Sequence, residues 1–510
     1  MTVYPLQANM TRGEATPYIH ARADTEHYAA CLQMARNVIV MRYGGVTRVP
    51  GSLYMGAAKN ANKKARFIRF EFNRSQVYAV EAGDLYFRFW TSAGRIESPP
   101  GTPVEVVTPY AEADLKYLRV RQLGDVIYIW CRKDAGGAYQ PRTLTRNSET
   151  SWTLALHETK AGPFLKEDTK GTTLTPADYG SAVPKMTGLT APSGTASATG
   201  APADAWEVFD KDKSTGYQNG ATPEPMTFTY DYAGAATKVA DAYYITIGDN
   251  GGPVSFTFEG YTGSVWVVLD TRTAEPKWAS RETRFYDFPN TTGYQSYRLV
   301  METFHPDFDT STDDLDIKEI GIHESAATQT PFNLTASAVT GINDGAGFQT
   351  SDVGRVLRLL GSDGRWRTAT IAARSSTTLV TIRLDDHALP DLSPISRWQF
   401  GAFSEYGGWP VTGAVYEDRL FHASTADDPL GLWGSVNADY DNHEISSPLV
   451  ADDGVSVRLT GGKLDDISWL LEMGDSLVVG TAGSLRAVGR NNDSEALSPS
   501  NFRQRAQTLA

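Results

Sequence analysis

Residues 66–90, RFIRFEFNRSQVYAVEAGDLYFRFW, decide the fold class. Ile68, Phe70 and Phe72 alternate with Arg69, Glu71 and Asn73, a period of two that places the apolar side chains on one face of a half-buried strand. Residues 77–80 and 85–90 read as two further strands. Glu81-Ala82-Gly83-Asp84 between them reads as the turn of a β-hairpin. Moving outward, similar short alternating runs recur through most of the chain, and no strand–helix–strand alternation interrupts them. A parallel α/β enzyme is therefore not expected, and an all-β protein is. One segment departs from this pattern. In residues 23–38, ADTEHYAACLQMARNV, Asp24 or Thr25 can cap a helix and Glu26 favours its first turn. Tyr28, Leu32 and Ala35 then share a face with Cys31 and Val38, which predicts one short helix near the amino terminus.

At 510 residues, with 41% hydrophobic and 21% charged side chains, the chain is long enough for several cores and apolar enough to fill them. No apolar run approaches the roughly 18 residues of a membrane-spanning helix. Cys31 and Cys131 supply neither a disulfide framework nor zinc-ligand spacing. HExxH, GxSxG and GxxxxGK[ST] are absent, and the eight histidines are scattered. Acidic doublets such as Asp385-Asp386 and Asp452-Asp453 read as solvated turns, because adjacency alone does not set two carboxylates across a cleft. The expectation is a protein without enzymatic activity. Net charge is −13 but uneven: residues 1–75 hold eleven Lys/Arg against four Asp/Glu, residues 186–324 nine against twenty-one. Such asymmetry predicts modules with different partners.

A weak internal repeat is present. GDVIYIWCRKDAGGAYQPRTLTR from Gly124, EDRLFHASTADDPLGLWGS from Glu417 and GDSLVVGTAGSLRAVG from Gly474 each run from an acidic residue through an alternating strand and a small-residue turn into a second strand. The spacing of the last two is slightly above the roughly 40–50 residues of a propeller blade, so the body is expected to be propeller-like. MTGLTAPSGTASATG, residues 186–200, has linker composition, and residues 331–398 hold short strands with glycine turns that suit a small β-barrel. The expected modules are a β-rich platform with one helix and the first blades over 1–185, a separate strand-rich unit over 186–325, the barrel over 326–402, and further blades over 403–510.

Lys59, Lys63, Lys64, Arg66 and Arg69 form a basic stripe that could follow a phosphate backbone or face a subunit contact. Arg12, Arg22, Arg36, Arg42 and Arg48 are dispersed among Gly and Pro, a pattern suited to forking onto carbonyls or carboxylates of a neighbouring subunit.

TRGEATPYIHARAD, ARNVIVMRYGGVTRVPGSLY and KARFIRFEFNRSQVYAVEAGDLYFRFW, followed by TPYAEADLKYLRVRQLGDVIYIW, PRTLTR, AGPFLKED and RLFHASTADDPLGLWGS, resemble the tail nozzle proteins of short-tailed bacteriophages, also called tail tubular or packaged-DNA stabilisation proteins. The resemblance spans about residues 1–170 and 331–510. It implies a virion structural protein made in the bacterial host cytoplasm, forming a homohexameric ring below the tail adaptor and beside tail fibres or spikes. The ring would extend the DNA channel, hold packaged double-stranded DNA in its closed lumen and pass it on infection. Members of that family are generally longer, so the propeller is expected to be incomplete at residue 510.

AWEVFDKDKSTGYQNG, SVWVVLDTRT, TTGYQSYRLVMET and LDIKEIGIHE resemble a discoidin, or coagulation-factor type C, domain, a galactose-binding-like jelly roll inserted over about 186–325. No cofactor is required by this reading. The resemblance implies a structural calcium site whose matching positions are Asp210, Asp212, Thr215 and Glu319, with Lys211 and Lys213 where the family has small residues. It also implies contact with host surface glycan, for which Tyr217 and Trp278, near turns, are the candidates, while Trp206 and Phe209 belong to the core. The alternative to a nozzle is accordingly a receptor- or glycan-binding tail appendage that works through this jelly roll.

Overall fold

The computed structural model describes residues 7–167, 170–200, 202–220, 225–249, 252–305, 314–446, 449–460 and 465–507. The protein is all-β, with one four-residue α-helix, Glu26–Ala29, and short 3-10 turns among the described residues.

The strands Arg66–Glu71, Val77–Gly83 and Tyr86–Thr91 pair antiparallel in register, Ile68 opposite Val80 and Phe70 opposite Tyr78. Their apolar faces pack on a second sheet, an antiparallel meander of Leu118–Leu123, Val126–Cys131, Arg142–Arg146 and Trp152–Leu156. Trp152 is the keystone: Phe89 stacks on its indole at 4.2 Å and Phe70 meets it edge-on at 5.0 Å. Burial of rings of this size stabilises by about 2–3 kcal/mol each.

The turn lies later than the sequence places it. Glu81 is not in the turn but inside the strand, where its buried carboxylate accepts the Tyr86 hydroxyl at 2.5 Å and the Trp90 indole N–H at 2.7 Å. Gly83 pairs with Tyr86, so the chain reverses at Asp84-Leu85, and a Cβ on Gly83 would stand 2.2 Å from the Tyr86 ring.

The jelly roll consists of two facing sheets. One orders Thr195–Ala198, Met226–Asp231, Ser296–Phe304, Pro253–Tyr261 and Trp266–Arg272; the other orders Tyr217–Gly220, Asp314–Glu324, Ala240–Ile247 and Thr283–Asp287. Its core is aromatic, with Phe258 sandwiched between Tyr243 at 4.4 Å and Tyr297 at 5.5 Å. The module is inserted into a curled six-stranded sheet. Leu174–Pro176 precedes it, and the five strands from Phe332–Ala336 to Trp398–Phe400 follow it. Leu174 pairs with Ala336 on one side and exchanges two backbone hydrogen bonds with Ile395 on the other, which curls the sheet towards a barrel around Leu334, Leu357, Ile371 and Ile382.

Two further meanders complete the chain: Thr412–Tyr416, Arg419–Ala423, Gly431–Gly434, Val455–Arg458; and Ile467–Met473, Ser476–Thr481, Leu485–Gly489, Arg503–Gln507. The repeat seen in the sequence has a structural basis. Gly124, Glu417-Asp418 and Gly474 each occupy the turn between the first and second strands of a four-stranded meander, all at positive φ. Four-stranded meanders of this kind are the unit from which propeller blades are built. The first and second meanders meet where Tyr128 and Trp130 pack against Leu420.

Candidate functional site

The amino-terminal arm, residues 7–65, is the part of the molecule least satisfied by its own chain. It consists of the 3-10 turn Pro17–Ile19, the helix Glu26–Ala29, the two-stranded ribbon Val38–Val40 with Val46–Arg48, and a stretch without regular structure from 49 to 65. The expected helix over 24–38 is confined to its first turn. Leu32 instead exchanges backbone hydrogen bonds with Gly13 and Ala15, and Val38 begins the ribbon. An apolar helical stripe needs a core to face, and a single turn does not outweigh the cost of nucleation without one. Only Ala15 and Gly44 are buried in this arm.

Its large apolar side chains are turned to solvent: Tyr18 is 94% exposed, Tyr43 90%, and Leu53 and Tyr54 80% each, with Met34, Ile39, Met41 and Met55 also exposed. Each large apolar side chain left in water forgoes about 1.5–3 kcal/mol relative to burial. Such a density of exposed apolar groups on one arm is unusual for a free surface. Arg12, Arg36, Arg42 and Arg48 make no ion pair among the described residues, while Arg22 is held by Asp24 at 2.9 Å.

The basic stripe is mostly neutralised within the fold. Lys59 pairs with Glu105 at 2.5 Å, Lys63 with Asp84, and Arg69 with Glu71 at 2.5 Å. Arg66 is half-buried and donates to the carbonyls of Leu115 and Leu118. Lys64 is exposed, and its backbone N–H donates to Glu112. Lys59 and Lys63 therefore tie the arm to the first sheet, Arg66 ties that sheet to the start of the second, and the stripe does not form a continuous free cationic track.

Tyr217 and Trp278 are not surface groups. Tyr217 is fully buried against Phe228 and donates its hydroxyl to the Thr199 carbonyl at 2.8 Å. Trp278 is 7% exposed, donates to the Pro253 carbonyl and carries the Arg284 guanidinium on its face at 4.1 Å. Both rings sit near turns in the sequence, but long-range strand pairing covers the first and an arginine the second. Trp206 is half-buried against the core and Phe209 is within it, as expected.

Asp210, Asp212, Thr215 and Glu319 do come together. Asp210 accepts from the Thr215 hydroxyl at 2.7 Å and the Asp212 N–H at 2.8 Å. The buried Glu319 carboxylate accepts the Lys211 N–H at 2.9 Å, and the equally buried Lys211 ammonium lies 3.4 Å from it. Burial pushes the Glu319 carboxyl upward, and Lys211 pulls it back. The positive charge in this pocket is the chain's own, which does not fit an added divalent cation. Among the described residues, no group of three or more His, Cys, Asp or Glu side chains is arranged to hold a metal.

The sequence did not reveal the exposed arm, since apolar residues there are no denser than in a core strand. It also left the histidines scattered, although His157, His422 and His443 lie in one buried row at the junction of the first and second meanders.

No protein-family model matches the chain, and no curated protein matches it. Among solved structures, the family 32 carbohydrate-binding module of Clostridium perfringens NanJ, in complex with galactose, is 15% identical, with a TM-score of 0.22 over 29% of this chain and 98% of that one. Chitosan-binding module 1 of a Paenibacillus sp. IK-5 chitosanase/glucanase is 14% identical, with a TM-score of 0.22 over 27% of this chain and 99% of that one. CpGH89CBM32-5 of Clostridium perfringens, in complex with GalNAc-β-1,3-galactose, is 11% identical, with a TM-score of 0.20 over 32% of this chain and 99% of that one. These values are too low to pass any property of those modules to this chain.

Proposed function

We propose that this chain is a structural component of a short-tailed phage virion, a tail nozzle subunit that assembles as a ring of identical copies, extends the DNA channel and retains the packaged genome until infection. The sequence resemblance suggests this role, and the observation that carries it in the structure is the amino-terminal arm. Its exposed tyrosines, leucine and methionines, with four unpaired arginines, are unsatisfied in a single copy and suit a head-to-tail contact in which each arm lies on its neighbour. A closed ring repeats one such contact around an axis. The partners of this reading are further copies of the chain, the adaptor above, fibres or spikes at the side, and DNA in the lumen.

Native mass spectrometry and electron microscopy of the full chain test the assembly. The expected result is a closed homo-oligomer that falls to monomer in the triple variant Tyr43→Ser, Leu53→Ser, Tyr54→Ser with unchanged thermal unfolding. In the phage, deletion of the gene is expected to give heads that lose DNA and tails cut short below the adaptor. A wild-type chain that remains monomeric overturns the ring. Deletion particles with stable DNA and complete tails that only fail to adsorb overturn the nozzle in favour of a receptor-binding appendage.

A further inference from the structure

The ribbon of Val38–Val40 with Val46–Arg48 belongs to no larger sheet. A lone two-stranded hairpin is marginally stable in water and needs a third strand or a covering element. Val46, Thr47 and Arg48 have neither among the described residues and are all exposed. The ribbon's own register decides which backbone groups are left over. Ile39 lies opposite Thr47, and the flanking bonds run from the Met41 N–H to the Gly45 carbonyl and from the Val49 N–H to the Asn37 carbonyl. Odd-numbered residues therefore pair inward. Val46 and Arg48 turn their N–H and C=O groups outward, where no backbone partner meets them among the described residues.

Matching groups stand on the first meander. Trp152–Leu156 is the end strand of its sheet, in regular register with Arg142–Arg146. Bonds from the Asn147 N–H to the Ser151 carbonyl and from the His157 N–H to the Pro141 carbonyl fix its alternation. Trp152, Leu154 and Leu156 thus turn their backbone groups to the free edge, again without a backbone partner among the described residues. Natural sheets guard such edges with lysine, proline or a bulge. This strand has none of these, and Thr153, Ala155 and Leu156 are exposed.

Charge selects this strand as the receiver. Arg42 stands at the ribbon's turn and Arg48 at its open end, both exposed and without an ion pair among the described residues. Glu149 and Glu158 bracket Trp152–Leu156, and they too are exposed and without an ion pair there. The last strands of the other two meanders carry cations instead, Arg458 on Val455–Arg458 and Arg503 and Arg505 on Arg503–Gln507. Antiparallel addition, the orientation within the meanders, can set Val46 opposite Leu154 and Arg48 opposite Trp152, with Thr47 opposite Thr153. In that register Arg42 comes level with Glu158, Arg48 reaches towards Glu149, and Val46 continues the apolar row of Leu154 and Leu156. No hydrogen bond joins the ribbon to Trp152–Leu156 of its own chain among the described residues.

We propose that the ribbon adds as a further strand to the edge Trp152–Leu156 of the next copy, with Val46–Arg48 antiparallel to it. The inference rests on the ring reading and names the surface on which each arm lies. The contact is heterologous, ribbon on one side of the subunit and acceptor edge on another, and main-chain bonds carry it.

Cysteine pairing in the full chain tests this, on a Cys31→Ser background because Cys131 is buried and Cys31 is not. Thr47→Cys chains are co-expressed with Thr153→Cys chains and oxidised. Residues directly opposed on neighbouring strands are within disulfide reach. The expected result is a covalent dimer at least tenfold above that from Thr47→Cys alone, or from Thr47→Cys with Ala482→Cys, an exposed position on the last meander. Val46→Pro removes an outward donor and no bond of the ribbon's own ladder, and should lower that yield at least tenfold at unchanged thermal unfolding. Arg48→Glu should lower it too, and Glu149→Arg in the partner chain should restore it. A closed oligomer without the Thr47–Thr153 dimer, an equal dimer from the Ala482 pair, or a yield indifferent to Val46→Pro and Arg48→Glu overturns the strand addition while leaving the ring. A wild-type chain that stays monomeric overturns both.

Discussion

The indole N–H of Trp130 donates to Nδ1 of His422 across 3.0 Å, joining the second strand of the first meander to the second strand of the next. His422 is the middle of a row, with His157 at 5.3 Å on one side and His443 at 5.2 Å on the other. Among the described residues, Nε2 of His157, Nε2 of His422 and both nitrogens of His443 have no hydrogen-bond partner. The acidic neighbours are Asp441, 3.6 Å from His157, and Asp439; Tyr128 lies edge-on to His157 at 5.4 Å. The junction therefore holds three neutral imidazoles with little to receive a proton's charge.

This arrangement sets a pH dependence. Burial drives His443 down to about 3 and His422 well below its ordinary value, and it lowers His157. In the unfolded chain these groups titrate near 6.5, so below that pH the unfolded state binds more protons and folding stability falls as pH drops towards 3. At pH 5 the loss is about 2 kcal/mol for each fully buried histidine. Denaturant midpoints at pH 7.5 and 5 are expected to show this slope, and His422→Leu with His443→Leu to flatten it. His323, also driven to about 3 by burial, keeps a residual slope in that double variant. An unchanged slope would show that the row is not its source.

Arg419 tests how the second and third meanders are wired together. Its buried guanidinium donates to the carbonyls of Ser435, Ala451, Asp453 and Leu497. Arg419→Met strands these acceptors and is expected to cost roughly 3–5 kcal/mol. Hydrogen exchange should localise the loss to residues 412–507, with the jelly roll unaffected. Uniform loss of protection across the chain would contradict a local role.

Lys211 and Glu319 are a buried ion pair in which the lysine supplies the cation. Lys211→Met leaves Glu319 unpaired and is expected to cost about 3–5 kcal/mol, most of it recovered in Lys211→Met with Glu319→Leu. The wild-type melting temperature should be the same in calcium and in EDTA. A calcium-dependent rise would show that the pocket takes a divalent ion after all.

Gly413 lies against Trp130, and a Cβ there would stand 2.2 Å from the indole. Gly413→Ala should displace that ring and its bond to His422, costing about 1–3 kcal/mol. Fluorescence of Trp130, compared with a Trp130→Phe background, reports the change. A shift in stability without a change in that fluorescence would place the strain elsewhere.

What the sequence made legible follows from the range of the interactions involved. Ile68, Phe70, Tyr78 and Val80 announce their sheet because strand alternation is local, and the repeat at Gly124, Glu417 and Gly474 was visible because the same tight turn recurs. The helix over 24–38 was over-extended because periodicity records a potential face and not whether a core exists to receive it. Tyr217 was misplaced because its cover comes from strands distant in sequence, and Trp278 because the nearby Arg284 folds back over its ring. The contact between His387 and Asp287 was not legible at all, since His387 lies in the loop after Leu379–Leu384 and Asp287 ends a strand of the jelly roll, and Asp386 looked like half of a solvated doublet. Its carboxylate instead accepts the backbone N–H groups of Thr368 and His387.

The pairing of Leu174 with Ala336 has a consequence for how the molecule is made. The chain leaves the curled sheet and returns to it on neighbouring strands, so the first strand of that sheet is synthesised before the jelly roll and its partner only afterwards. On the ribosome, Leu174–Pro176 waits unpaired until the whole insert has emerged. Rapid completion of the jelly roll, whose core lies wholly within its own segment, brings the two ends together and shortens the loop that the host sheet must close. The same adjacency makes the insert a cassette: a different domain with close termini could replace it while leaving the host register intact.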